Sequence, residues 1–217
     1  MLLWLGRYTE KQAHHLLPRT YYRCNMMSYQ MKNKKIYEKI EIHTEKESFS
    51  LISNKKNNYD LYVGEFDSDE KGHNKIINKL SQLSKKSIIN IHISSCGGDL
   101  NLLVRYINML KTTIAKVNGY LNYGYSCGAL IFGACQNKYI YEHSTLMYHN
   151  ASWTHNGKAN EIKSCVNAMY DVVENLMKKY YLGLSKEEFE MLLNGKDFWL
   201  NYKEIKERGI IENGKTE

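Results

Sequence analysis

Two hydrophobic periods that alternate from residue 59 onwards constrain the fold of this chain most strongly. In some stretches every second residue is apolar, whereas in the stretches between them apolar residues recur every three or four positions. The first period is typical of a strand with one buried face, and the second of a helix with an apolar stripe. Since strands and helices that alternate along a chain usually form a sheet with crossover helices, the pattern predicts an α/β fold.

The clearest strand is predicted at 87–95, where Ile89, Ile91 and Ile93 share one face. Loose alternation at 36–52 predicts an edge strand or a hairpin, followed by a polar loop at 53–58. The remaining strands are predicted at 61–63, 114–121, 138–141 and 146–149.

Capping residues mark the starts of several helices, because their side chains can accept hydrogen bonds from the free N–H groups of the first turn. The predicted caps are, in chain order, Asp67 or Ser68, Asp99, Ser185 and Asn201. Two further helices are indicated by their apolar residues: a short, wholly apolar one at 128–135 and a long amphipathic one at about 158–181.

Residues 1–35 differ from the rest of the chain, because they show no sustained periodicity and contain the only proline, Pro18. We expect them to form a leader or a disordered N-terminal extension. The rest, residues 36–217, is then predicted to be one domain, since 217 residues can bury a single core but would be crowded as two full domains.

Composition argues against several classes of function. The five cysteines are an odd number without a C-x-x-C pair, which argues against a disulfide framework and against a structural zinc site. The net charge of +7 is concentrated in residues 1–60, which hold 11 Lys or Arg against 6 Asp or Glu, and no nucleic-acid-binding motif accompanies it. No apolar run approaches the roughly 20 residues of a membrane-spanning helix. We therefore expect a cytoplasmic protein, or one of an organelle matrix or stroma, with no metal, nucleic acid or membrane as partner.

One short motif carries potential chemistry. Gly124-Tyr-Ser-Cys-Gly128 matches the G-x-S-x-G nucleophile elbow, in which a serine occupies a tight turn between a strand and a helix. Ser126 would then lie at a helix N-terminus, where the partial positive charge favours a developing negative charge. The alternative is that Ser126 is only a helix cap between two small glycines.

A serine hydroxyl becomes a good nucleophile only beside a base, so the motif requires a histidine and a group that orients it. The acid precedes the histidine in α/β-hydrolases, but no histidine follows Asp171 or Asp197, the two aspartates after Ser126. The order Ser126, His149, Asp197 remains available. Taken singly, His149 could instead be a core histidine and Asp197 a helix cap or a surface acid.

Five segments in order resemble the Clp protease proteolytic subunit. These segments are Ser95-Cys-Gly-Gly98, Ser126-Cys-Gly-Ala129, Met147-Tyr-His149, Gly157-Lys-Ala159 and Asp197-Phe-Trp-Leu200. The resemblance implies a crotonase-like α/β fold of repeated strand-strand-helix units, with a projecting handle helix. It also implies a serine endopeptidase in which Ser126 is the nucleophile, His149 the base and Asp197 the orienting acid. The N–H groups of Gly98 and Cys127 would form the oxyanion hole.

The same resemblance implies partners. Seven subunits would form a ring, and two rings would stack around a chamber that takes in only unfolded proteins. A Clp-type AAA+ unfoldase would deliver these substrates and hydrolyse the ATP, so the chain itself would need no cofactor.

Some positions depart from the family pattern. Cys96 and Ala151 replace prolines, and Trp153-Thr154 replaces a glycine pair in the segment that contacts the opposing ring. These departures motivate an alternative function, a non-catalytic Clp-like subunit that serves as a scaffold or an adaptor dock. A more distant alternative is an acyl-CoA-handling relative that uses paired oxyanion N–H groups without a triad. Cys127 is a further candidate, as a thiol nucleophile, but its place in the motif is that of an oxyanion donor.

Overall fold

The structure, a computed structural model, describes residues 39–211 with the exception of 153 and 155. The prediction for residues 1–35 therefore lies outside the described residues. Seven strands form one mixed sheet in the order of the sequence: β1 Ile40–His43, β2 Phe49–Lys55, β3 Asn58–Val63, β4 Ile88–Ser95, β5 Lys116–Tyr125, β6 Asn137–Tyr148 and β7 Phe198–Leu200. Strands β3 to β6 are parallel to one another, whereas β1, β2 and β7 pair in the antiparallel direction.

Six helices lie in the described part of the chain: α1 Glu70–Ser81, α2 Leu100–Thr112, α3 Cys127–Ala134, α4 Ala159–Tyr180, α5 Lys186–Leu193 and α6 Tyr202–Glu207. The helices α1, α2 and α3 connect successive parallel strands, and right-handed crossovers in a sheet of this order place such helices on one face. Contacts between α1 and α2, and between α2 and α3, agree with this arrangement. None of the helices within residues 39–211 combines the length and apolar character of a membrane span.

The two faces of the parallel strands differ in chemistry. Ile89, Ile91 and Ile93 of β4 are fully buried beneath the helices, as their spacing predicted. Asn90 and His92 point to the other face, where Asn90 is hydrogen-bonded to asparagines of both neighbouring strands and the His92 ring is stacked between tyrosine rings. The α/β class is confirmed, and the core lies between the sheet and the helices.

Register shifts divide the long strands. The pairing of β4 with β5 shifts after Ile93, and that of β5 with β6 shifts after Leu121. Each of these strands thus has two segments followed by one helix, in agreement with repeated strand-strand-helix units. The second segments end at the carboxyl ends of the parallel strands, which are Ser95 in β4, Tyr125 in β5 and Tyr148 in β6.

Two sequence-based predictions of strands and loops were wrong. The runs at 138–141 and 146–149 are parts of one strand, β6. Ser144 joins them, because its hydroxyl accepts from the Tyr141 N–H and donates to the Leu121 carbonyl at the register shift. The predicted loop at 53–58 is instead the end of β2, a two-residue turn and the start of β3, with Asn57 at a φ of 60°.

The cap of the first helix also differs from the prediction. Asp69 caps α1 by accepting from the Gly72 N–H at 3.1 Å, whereas Asp67 accepts from the Asp69 N–H at 2.9 Å. Asp67 and Asp69 could both accept hydrogen bonds from the first turn of α1. The carboxylate of Asp67 is bonded to Ser48 and His73 instead, which leaves the cap to Asp69. The other predicted caps, Asp99, Ser185 and Asn201, all accept hydrogen bonds from the first turns of their helices.

Candidate active site

Ser126 occupies a strained turn between β5 and α3. Its backbone has a φ of 55° and a ψ of −119°, a region that residues with a side chain rarely adopt. The Ser126 N–H donates to the Met147 carbonyl of β6 at 3.0 Å, which holds the turn in place. Its hydroxyl makes no capping hydrogen bond to α3. The strain and the absent capping bond both disfavour the interpretation of Ser126 as a simple helix cap.

Both glycines of the motif are required by close backbone contacts. A Cβ atom at Gly124 would lie 2.9 Å from the Gly128 carbonyl oxygen, and one at Gly128 would lie 2.8 Å from the Ser95 carbonyl oxygen. These separations are too short for any side chain. Without a Cβ, Gly124 allows the turn to close onto Gly128, and Gly128 allows it to pack against the end of β4.

In the segment from Cys96 to Asp99, which lies beside Ser126, three of the four backbone N–H groups are hydrogen-bonded to other described residues and that of Gly98 is not. The Cys96 N–H donates to the Glu65 carboxylate, the Gly97 N–H to the Ser95 hydroxyl and the Asp99 N–H to the Phe66 carbonyl. Within residues 39–211, no hydrogen bond uses the N–H of Gly98. A free amide at the edge of a cavity is what an oxyanion hole requires.

Gly98 is a glycine for a reason that the sequence did not show. Its φ is 129°, and a Cβ atom there would lie 2.3 Å from the Phe66 carbonyl oxygen. The contact that forbids a side chain at this position is therefore with the protein's own backbone at Phe66. Gly97 plays a related part, since a Cβ there would lie 2.8 Å from the Cβ of Ser126.

Cys127 begins α3, so its N–H has no acceptor within the helix and is available as a second oxyanion donor. Its thiol is buried and donates to the Gly98 carbonyl at 3.4 Å. Burial raises the pKa of Cys127 to about 11, so the thiol stays protonated at neutral pH. This disfavours Cys127 as a nucleophile.

His149 is the first residue beyond the end of β6. Its carbonyl accepts from the Tyr181 hydroxyl at 3.3 Å, and the next residue, Asn150, donates from its side chain to the Leu193 carbonyl at 3.0 Å. The ring atom Nε2 is buried and has no hydrogen-bond partner among the described residues. A histidine with only a structural role in the core would be hydrogen-bonded, so the unpartnered nitrogen favours a functional role.

Asp197 immediately precedes β7. The antiparallel register pairs Tyr148 with Phe198, so one further step along the two strands sets His149 opposite Asp197. The Asp197 side chain is nevertheless exposed, and no hydrogen bond joins it to His149 in the described part of the chain. Asp197 is not a helix cap, but the interpretation as a surface acid is not removed by this geometry.

A cavity of about 440 Å³ brings most of the predicted residues together. Ser126, His149, Gly98 and Cys127 all line it, whereas Asp197 does not. One wall is apolar and is formed by Leu130, Met169, Val173, Met177 and Tyr181. Met169 and Val173 belong to the apolar face of the long helix; its amphipathic pattern predicted such a face, but not that it would line the same cavity as Ser126.

The sequence reasoning missed Tyr181. This side chain is 5% exposed, stacks on Tyr148 with ring centroids 4.3 Å apart and reaches the His149 carbonyl. An aromatic residue at the end of an amphipathic helix gave no signal of this contact. The described residues contain no group of three or more His, Cys, Asp or Glu that could hold a metal ion.

The sheet, the crossover helices and the strained serine turn together define an α/β protein with a nucleophile-elbow motif. Residues 29–214 match the family model described as Clp protease, which covers most of the chain. The chain therefore belongs to the Clp protease family, a family of Clp-type peptidases. Among curated proteins, a search with the sequence finds no match.

Proposed function

We propose that this chain is a serine endopeptidase, the proteolytic subunit of an ATP-dependent Clp-type protease that degrades unfolded proteins to peptides. The observation that carries the proposal is the set of groups on one cavity. Ser126 presents its hydroxyl from a strained turn, His149 has an unpartnered Nε2, and the Gly98 N–H has no acceptor in the described residues.

In the proposed reaction, Ser126 Oγ attacks the scissile carbonyl while His149 Nε2 takes the hydroxyl proton. The carbonyl oxygen becomes an oxyanion, which the N–H groups of Gly98 and Cys127 stabilise. The C–N bond then breaks, and His149 returns the proton to the leaving amine. Water, deprotonated in turn by His149, hydrolyses the acyl-enzyme and frees Ser126.

Asp197 would orient the imidazole by accepting a hydrogen bond from its Nδ1–H. The β6–β7 register brings the two residues opposite each other, so a rotation of the exposed Asp197 side chain is the change that the mechanism needs. Catalytic hydrogen bonds are often long or unmade without substrate and form in the substrate complex. The apolar wall of the cavity would hold an apolar substrate side chain next to the scissile bond.

Assembly into seven-membered rings that stack in pairs is part of the proposal. Helix α4 supports it, because its buried residues, Val173, Met177 and Tyr180, all belong to its C-terminal half. Ile162 and Val166 continue the apolar stripe into the N-terminal half but are only half-buried. A second subunit could cover them. A Clp-type AAA+ unfoldase would supply unfolded substrates and consume ATP.

The decisive experiment is labelling with a fluorophosphonate probe, which reacts only with an activated serine. The full chain should be labelled and should hydrolyse a short fluorogenic peptide, whereas Ser126→Ala should do neither while it assembles to the same size. Labelling that persists in Ser126→Ala would refute Ser126 as the nucleophile.

One observation favours a second candidate function, the non-catalytic ring subunit. Asp197 is exposed and makes no hydrogen bond to His149 in the part of the chain that the structure describes. A subunit with no catalytic role would have no need of that bond, so the same arrangement is expected for it. This candidate predicts a purified chain that is neither labelled nor active. It also predicts that a mixed ring with an active relative is equally active when this chain carries Ser126→Ala.

A further inference from the structure

A largely buried cluster of polar side chains lies next to Phe66 and has no part in the mechanism above. We call Ser48, Asp67, His73 and Tyr106 the His73 cluster. His73 of α1 is fully buried, with Nε2 3.1 Å from Asp67 Oδ1 and Nδ1 3.0 Å from the Tyr106 hydroxyl oxygen. One neutral tautomer satisfies both contacts: Nε2–H donates to Asp67, and the Tyr106 O–H donates to Nδ1.

Three donors converge on the carboxylate of Asp67. Besides His73, the Ser48 hydroxyl and the Asp69 N–H donate to it, and the side chain is 14% exposed. Burial acts to raise the pKa of Asp67, but these hydrogen bonds together hold the pKa below its ordinary value. The carboxylate is therefore charged at neutral pH and fixed in position.

Phe66 connects the His73 cluster to the candidate site. Phe66 immediately precedes Asp67 in the chain, and its backbone is hydrogen-bonded to the residues on either side of Gly98. The Phe66 N–H donates to the Gly97 carbonyl at 2.8 Å, and the Asp99 N–H donates to the Phe66 carbonyl at 2.9 Å. The Phe66 ring is buried and meets the rings of Phe49 and Tyr106 edge-on. A displacement of Asp67 would thus be transmitted to the backbone on either side of Gly98.

We propose that His73 is a positioning residue for the oxyanion hole: through Asp67 and Phe66 it sets the direction in which the Gly98 N–H points. This inference rests on the proposed function. An apolar side chain would pack against the Phe49 ring as well as His73 does, and it would avoid the cost of burying polar groups. What a hydrogen-bonding side chain adds at this position is a third donor to the carboxylate of Asp67, which helps to fix its orientation.

The kinetic test uses the full chain with His73→Leu, His73→Gln and Ile76→Val. Leucine removes both hydrogen bonds, glutamine can again donate to Asp67, and Ile76 is an equally buried residue of the same helix that does not belong to the cluster. We expect His73→Leu to lower kcat for a short peptide by about 10- to 100-fold, with KM changed less than about threefold. His73→Gln should recover most of kcat, and Ile76→Val should leave it unchanged.

A second readout does not depend on activity. In a Ser126→Ala background, hydrogen exchange of the Phe66 and Asp99 amides should be faster in His73→Leu than in Ile76→Val. If His73→Leu does not fold, Asp67→Asn replaces it, because it alters the same contact from the other side. If the parent chain is inert but the exchange responds as expected, the proposed function fails and the positioning role stands. Equal exchange at these two amides in the cluster variant and in Ile76→Val would overturn the positioning role.

Discussion

The two sides of the cavity differ in how firmly their functional groups are held. On the side of Ser126 and Gly98, the serine amide is bonded to β6, and the amides of Cys96, Gly97 and Asp99 all have acceptors. On the opposite side, the strand ends one residue before His149. The ring of this histidine has an unpartnered Nε2, and the side chain of its predicted partner, Asp197, is exposed and lies outside the cavity.

The difference indicates that folding alone fixes the serine turn and the backbone amides beside it. The hydrogen bond between His149 and Asp197, in contrast, would form only after a further change in the structure. Oxyanion donors act best when they are fixed before the charge develops, and backbone amides in a hydrogen-bonded segment meet that condition. In the proposed reaction the Nε2 of His149 exchanges hydrogen-bond partners at each step, so an unpartnered Nε2 is compatible with function. Asp197, by contrast, would have to hold the imidazole throughout, so the binding of substrate or of a neighbouring subunit would have to bring the two side chains together.

The largest effect is expected from Asp197→Asn. If the loosely held side completes the triad during catalysis, kcat should fall by about 10⁴-fold, because the amide favours the wrong imidazole tautomer. Asp171→Asn, which changes an exposed aspartate of α4, is the control and should not alter kcat. Peptide hydrolysis by both variants is the measurement. An Asp197→Asn enzyme as fast as the control would mean that the acid is only a surface group.

Gly98→Ala tests the firmly held side. The added Cβ would lie against the Phe66 carbonyl at a φ that disfavours a side chain, so the segment must move and the oxyanion donor with it. We expect kcat to fall by about 10²- to 10³-fold and the stability to decrease by about 1–3 kcal/mol. Gly157→Ala, at an exposed glycine whose added Cβ would meet only ordinary contacts, should change neither quantity. Normal activity in Gly98→Ala would show that the segment is not held as firmly as its hydrogen bonds indicate.

Two stacked tyrosines allow a smaller and more specific test of His149. Tyr181→Phe removes the hydroxyl that donates to the His149 carbonyl, and Tyr148→Phe removes the one that donates to the Leu182 carbonyl. Each variant should lose about 1 kcal/mol of stability in urea unfolding, since each leaves a carbonyl without its partner. Only Tyr181→Phe should also lower kcat, by about fivefold, because it loosens the position of the general base. Equal kcat values in the two variants would contradict a role of Tyr181 in holding His149.

The smallest effect concerns pH and the His73 cluster. Burial lowers the pKa of His73, and the carboxylates of Asp67 and Asp69 offset only part of this effect, while Arg105 adds to it. The folded state therefore favours neutral His73. Neutral His73 therefore stabilises the folded state fully above the ordinary histidine pKa of about 6.5, and this stabilisation is lost as the pH falls through the lower pKa of His73 in the folded state.

Urea unfolding at pH 7 and pH 5 measures this contribution. The free energy of unfolding should decrease more between these values for the parent chain than for His73→Gln, which has no titrating group at this position. Equal decreases would show that His73 titrates alike in the folded and unfolded states, contrary to its burial.

Much of the fold could be predicted because its signals are local. The capping side chains of Asp99, Ser185 and Asn201 act within one turn, and the period of apolar residues along each segment is set by backbone geometry. The tight turn at Ser126 could be predicted for the same reason, since its two glycines lie within two residues of it, whereas its backbone strain appears only in the structure.

Other features were decided only by the tertiary structure, because they depend on residues far apart in the chain. Ser144 continues β6 by bonding to Leu121, and Asp67 loses the capping role to Asp69 because Ser48 and His73 engage its carboxylate. No local period encodes such contacts.

The candidate site shows the same division. By itself, the sequence determined which residue types are available for chemistry and their order, because the elbow motif and its glycines are contiguous. Only the tertiary structure decided that Ser126, His149 and Gly98 share one cavity, that Phe66 is what requires glycine at 98, and that Asp197 stays outside the cavity. The physical reason is that side-chain direction at the end of a strand depends on what packs against it, and His149 is held at its carbonyl by Tyr181, the residue that follows α4.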